Sequence, residues 1–89
     1  MHEMSLALEV CDIARRHVSP EQVASIVEVV VEVGDDAGVV ADSLEFWLES
    51  MLSSPPFGEA KPVIRRVPGD VLRVSYLEVD DGRPDDRSP

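Results

Sequence analysis

Cysteine occurs once in this chain of 89 residues, at Cys11. One thiol closes no disulfide and builds no Cys-based zinc cluster within a single chain, so no structural zinc is expected. That usage fits a reducing compartment. Basic side chains are scarce too: eight Lys and Arg stand against eighteen Asp and Glu, for a net charge of −10. A phosphate backbone or an anionic bilayer demands a basic face, so nucleic acid and membrane are excluded as main partners; cations or a basic protein surface suit this charge. No apolar run reaches the ~18 residues of a membrane-spanning helix. The N-terminus lacks the basic segment, apolar stretch and cleavage site of a signal peptide. The expected location is cytoplasmic.

A chain this short forms one domain and buries only about 60–65% of its unfolded surface, so the core is thin. Residues 1–4 are expected to be short and extended. Ser5 reads as the N-cap of a helix from Leu6 to Val18, with Ala7, Val10, Cys11, Ala14 and Val18 as its inward stripe. Cys11 on that stripe is expected to be an inert core thiol, and His17 in the last turn a partner of the helix dipole rather than a ligand. Ser19-Pro20-Glu21-Gln22 reads as a capped turn.

Alternation from Ser25 to Val33 predicts a strand with Val27, Val29, Val31 and Val33 on one face and Ile26, Glu28, Val30 and Glu32 on the other. Gly34-Asp35-Asp36-Ala37-Gly38 is a solvated acidic turn rather than a calcium loop, because no further acids follow at the required spacing. A second helix is expected from Ala41 or Asp42 to Leu52, with Asp42 and Glu45 as a capping box and Leu44, Trp47, Leu48 and Met51 as its buried face. After the loop at Ser53-Ser54-Pro55-Pro56-Phe57-Gly58, strands are expected at 62–67 and 71–79, the second alternating Leu72, Val74 and Tyr76 with Arg73, Ser75 and Leu77, joined as a hairpin through a turn at Pro68-Gly69. Arg65, Arg66 and Arg73 would then meet across that hairpin. Asp80 to Pro89 carries no apolar residue and is expected to be a disordered acidic tail, leaving 1–79 as the domain. The fold class is α+β: a small mixed sheet of three to four strands with two amphipathic helices packed on one face.

The chemistry concentrates at the N-terminus. In Met1-His2-Glu3 the α-amine, the deprotonated His2 amide and the His2 imidazole close two fused chelate rings, one five-membered and one six-membered. Glu3 offers a fourth donor through its amide or its carboxylate. Such a set favours square-planar Ni(II) or Cu(II). No nucleophile with a matched base, phosphate loop or paired-carboxylate site argues for an enzyme.

Met1-His2-Glu3-Met4-Ser5-Leu6-Ala7-Leu8 resembles the opening of the HypA-type nickel-insertion accessory proteins of hydrogenase and urease maturation. Val29-Val30-Val31-Glu32-Val33-Gly34, Gly38-Val39, Asp42-Ser43-Leu44-Glu45-Phe46 and Leu72-Arg73-Val74-Ser75-Tyr76-Leu77-Glu78-Val79 are similar in register, so the likeness covers residues 1–79. The resemblance implies a nickel metallochaperone for [NiFe]-hydrogenase maturation, not an enzyme. It would bind Ni(II) through the Met1 amine, the amide and ring of His2 and the amide of Glu3, and pass it to a HypB-type GTPase or a hydrogenase large subunit. The alternative is a HypA-like adaptor or regulator that carries no metal. Two departures bear on the choice. The family places a zinc module with two Cys-x-x-Cys pairs between its last two long strands, where this chain has only Pro68-Gly69. It also often carries an acid where this chain has Val40.

Overall fold

The computed structural model describes residues 3–80. Its elements are α1 (Glu3–Arg16), a short 3-10 turn (Pro20–Ser25), β1 (Ile26–Gly34), α2 (Ala41–Leu52), β2 (Lys61–Val67) and β3 (Leu72–Val79). The sheet order is β2-β1-β3, with β2 parallel and β3 antiparallel to β1. Both helices pack on one face, α2 over β2 and α1 over β3, which is the expected α+β class. No helix among the described residues is long and apolar enough to cross a membrane.

α1 starts earlier than its sequence suggests. Glu3 and Met4 are helical, so residues 3–4 are not extended and Ser5 lies inside the first turn rather than capping it. Glu3 at the start and Arg15 and Arg16 at the end complement the helix dipole. Arg15 and Arg16 each reach an Asp12 carboxylate oxygen at 2.7 Å. Leu6, Ala7, Val10, Cys11 and Ala14 form the buried stripe, and Val18 packs at its margin beyond the helix end. At the 3-10 turn, the Ser19 N–H and hydroxyl both donate to the Gln22 side-chain oxygen, at 3.3 and 3.0 Å.

β1 is the central strand. Val29, Val31 and Val33 are fully buried under the helices. Ile26 joins them, contrary to strict alternation, because an extra residue in β1 between the pairs Ile26–Val79 and Glu28–Glu78 shifts the face by one. A second irregularity at Ser75 does the same in β3. Leu72, Val74, Leu77 and Val79 all meet the core, while Tyr76, expected beside Val74, is 54% exposed on the other side.

The expected hairpin between the last two strands does not form, because β1 lies between them. Arg65 and Arg73 instead flank Glu32 from opposite sides in register, and Arg73 reaches its carboxylate at 2.6 Å. Arg66 pairs with Asp35 at 3.0 Å. The Pro68-Gly69 link therefore passes over the end of β1. Gly34 N–H donates to Val71 O at 2.6 Å, Asp35 N–H to Val67 O at 2.8 Å and Asp36 N–H to Gly69 O at 2.9 Å. Gly69 has φ +89, as its place in the turn requires.

α2 spans Ala41–Leu52, with Val40 at its N-cap and no side-chain cap; Asp42 is already inside the helix. Its fully buried residues are Leu44, Leu48 and Leu52, while Trp47 and Met51 are half-buried against the core. Phe46 is 62% exposed and meets the Trp47 ring edge-on, with centroids 5.5 Å apart. Phe57 and Ala60 close the core as the chain returns to β2.

Candidate metal centre

The two helices run side by side in the same direction. The start of α1 meets the start of α2 through a hydrogen bond from the Val40 N–H to Glu3 Oε2, at 3.1 Å. At the other end, Leu8, Cys11 and Arg15 of α1 share an open groove of about 340 Å³ with Ser50 and Met51 of α2. Both helices run against β1, so their N-termini lie at the Gly34 end of that strand. There the chain gathers Glu3, Asp35, Asp36, Asp42 and, across the link, Asp70, with Arg66 answering Asp35.

Two parallel helix N-termini concentrate positive partial charge, which on its own repels a cation and attracts a carboxylate. The Glu3 carboxylate answers that field, and it accepts from the N-cap N–H of α2, the donor that a capping box would pair with a Glu or Gln at the third helical position. The Glu3 amide lies at the first position of α1. Helix geometry provides no intrahelical carbonyl for the first four N–H groups, so an amide there can exchange its proton for a metal without breaking a helical hydrogen bond.

Of the three candidate ligands, the structure places Glu3 at this end; Met1 and His2 lie outside the described residues. Among the described residues no group of three or more His, Cys, Asp or Glu is placed to hold a metal ion. His17 is exposed just beyond the far end of α1. Cys11 is buried, and burial pushes its thiol up to about 11 despite the opposing charge of Arg15. It is therefore a protonated core group at neutral pH, as its place on the apolar stripe suggested. The contact that sequence reading missed is Glu3 with Val40. The Asp42-to-Glu45 spacing suggested a cap that the helix does not use, and the one visible hint was a valine just before the helix.

Comparison with known proteins bears on this end of the molecule. The family model described as HypA, hydrogenase/urease nickel incorporation, metallochaperone, matches residues 1–72. The hydrogenase maturation factor HypA of Geobacter metallireducens is 38% identical over 69 residues, which is 78% of this chain and 60% of that protein. The HypA of Geotalea uraniireducens is 34% identical over 67 residues, 75% of this chain and 58% of the relative. That of Chloroflexus aggregans is 34% identical over 72 residues, 81% and 63% respectively. The chain thus spans about 60% of the length of the curated relatives it matches. The family match stops at Leu72, the first residue of β3, just past the link over Gly34.

Proposed function

The chain belongs to the HypA family, and from that premise we propose that it is a nickel metallochaperone, not an enzyme, serving [NiFe]-hydrogenase maturation. It takes Ni(II) as cargo on the Met1 amine, the amide and imidazole of His2 and the amide of Glu3. The supporting observation is the position of Glu3. Its amide opens α1, a position that no intrahelical carbonyl serves, and its carboxylate is hydrogen-bonded to the Val40 N–H. That engagement favours the amide over the carboxylate as the fourth donor. Four nitrogen donors in one short stretch suit a square-planar ion. The two helix N-termini beside the site favour a chelate in which deprotonated amides offset the metal's positive charge. A partner with a basic surface, a HypB-type GTPase or a hydrogenase large subunit, would collect the ion from this acidic chain. No structural zinc is expected, because a single cysteine, Cys11, supplies no Cys-based ligand set.

Nickel titration tests the reading. Protein starting at Met1 should bind one Ni(II) as a yellow, diamagnetic species. A short extension before Met1 converts the amine to an amide, and His2→Ala removes the ring donor; each should abolish that spectrum while far-UV circular dichroism stays unchanged. Both the amine and the imidazole must lose protons to bind, so affinity should fall as pH drops from about 8 to 6. Equal binding with the same spectrum by the extended protein would refute the site. The metal-free adaptor would then lead, a reading favoured by exposed Val40 standing where the family often has an acid.

A further inference from the structure

The two edges of the sheet are built differently. β2 carries Lys61, Arg65 and Arg66, all exposed, and Pro62, which has no N–H to offer. Antiparallel pairing of β2 with another β2 would gather the cations of both copies along one seam. Such an edge resists sheet-to-sheet association. β3 has no comparable protection. Its edge runs Leu72-Arg73-Val74-Ser75-Tyr76-Leu77-Glu78-Val79, with one cation, one anion and no proline.

That sequence is complementary to itself when reversed. Centred between Ser75 and Tyr76, an antiparallel pairing sets Leu72 against Val79, Arg73 against Glu78 and Val74 against Leu77. If Ser75 is passed over as the extra residue that the β1 register marks, Tyr76 meets Tyr76 and the other three pairs are unchanged. The faces agree as well. Leu72, Val74, Leu77 and Val79 all lie on the helix-covered side, so apolar residues meet apolar residues there. Arg73 and Glu78 are both exposed, so each pair sets opposite charges side by side, twice in a symmetric dimer. Arg73 already touches Glu32, yet its side chain remains 66% exposed and has donors for a second carboxylate. A shallow groove of about 230 Å³ is bounded by His17 and Val74 to Leu77, at the middle of this strand.

We infer that β3 is a self-association edge: its partner is the β3 of a second copy, joined antiparallel into one six-stranded sheet ordered β2-β1-β3-β3-β1-β2. The inference goes beyond the nickel reading and does not depend on it. The antiparallel two-fold sends the two Glu3 ends to opposite ends of the joined sheet, so self-association should be indifferent to nickel and to an N-terminal extension. An eight-residue strand edge is a small interface, and the dissociation constant should be weak, on the order of 10–100 µM.

Sedimentation equilibrium on the full chain over that concentration range tests it. The unaltered chain should approach twice its monomer mass. Glu78→Arg places Arg against Arg at both pairs and should weaken association by about tenfold or more. Arg73→Glu places Glu against Glu and should do the same. An equimolar mixture of the two variants restores both opposite-charge pairs, so a heterodimer should form where neither variant associates alone. Circular dichroism checks that each variant folds. Arg73→Glu also faces Glu32; if it fails to fold, Glu78→Arg alone decides the matter, since Glu78 faces only Glu28 across the sheet. A monomer at the highest concentration, or undiminished association of Glu78→Arg, would overturn the inference whatever nickel does.

Discussion

At the residue scale, Gly34 is the most constrained position. A β-carbon there would collide with the Gly69 carbonyl oxygen and lie 2.6 Å from the Val71 nitrogen, both backbone atoms. Backbone cannot rotate away as a side-chain tip can. Gly34→Ala should therefore lift the Val67–Val71 link off the end of β1 and break the hydrogen bonds from residues 34–36 to it. The expected cost is about 2–3 kcal/mol, the upper part of the range for an overpacked site. Urea titration should show the loss, and amide exchange at Asp35 and Asp36 should rise ahead of the rest of the sheet. A variant as stable as the parent would mean that the link yields freely. The sequence marks Gly34 as a strand end and Pro68-Gly69 as a turn, and both are so. It does not show that the two touch, because they lie more than thirty residues apart and only the path of β2 and β3 around β1 unites them. The Glu3–Val40 contact was hidden for the same reason, and it sits at the candidate site.

At the element scale, period predicts helices well and their buried stripes less well. α2 was legible within a residue at each end, and Leu44 and Leu48 lie where spacing placed them. Trp47 and Met51 were expected beside them, yet the fully buried third member is Leu52. The apolar residues of α2 extend around more of the helix than its neighbours cover, so composition overstates the buried arc. Two adjacent residues, Trp47 and Leu48, separate the readings. Leu48→Ala empties a fully enclosed site and should cost about 2–5 kcal/mol. Trp47→Ala removes a larger side chain from a half-buried place and should cost only about 1–2 kcal/mol. Chemical denaturation followed by far-UV circular dichroism ranks the two. The reverse order would show that the Trp47 ring, stacked edge-on against Phe46, carries more of the core than its exposure implies. In β1 and β3, single extra residues reversed the expected faces of Ile26, Tyr76 and Leu77. An inserted residue leaves no mark on composition, so alternation finds the strand and misplaces its far half.

At the scale of the whole molecule, the α+β class was legible because two amphipathic periods and a β-branched run admit few arrangements. The sheet order was not. Proximity along the chain favoured a hairpin, although a β1 with valines on both faces already had the character of a central strand. Charge acts at this scale too. The net charge of −10 is carried by a chain of only 89 residues, and at ~10 mM ionic strength the screening length is about 30 Å, so acidic groups repel one another over most of a domain this small. The ion pairs Asp12–Arg15, Asp12–Arg16 and Asp35–Arg66 are solvent-exposed, and such pairs contribute only about 0–1 kcal/mol each. Salt weakens both effects, but eighteen acids stand against eight bases, so relief of repulsion should win. Thermal unfolding in chelator, at protein concentrations well below those of self-association, should therefore show Tm rising as NaCl goes from about 10 to 150 mM, where the screening length is about 8 Å. A gain near 1 kcal/mol corresponds to about 4–8 °C in a domain this size. The chelator removes adventitious cations, so the rise reports screening rather than binding. A falling Tm would mean that the exposed arginine pairs hold the fold more strongly than their solvent contact suggests.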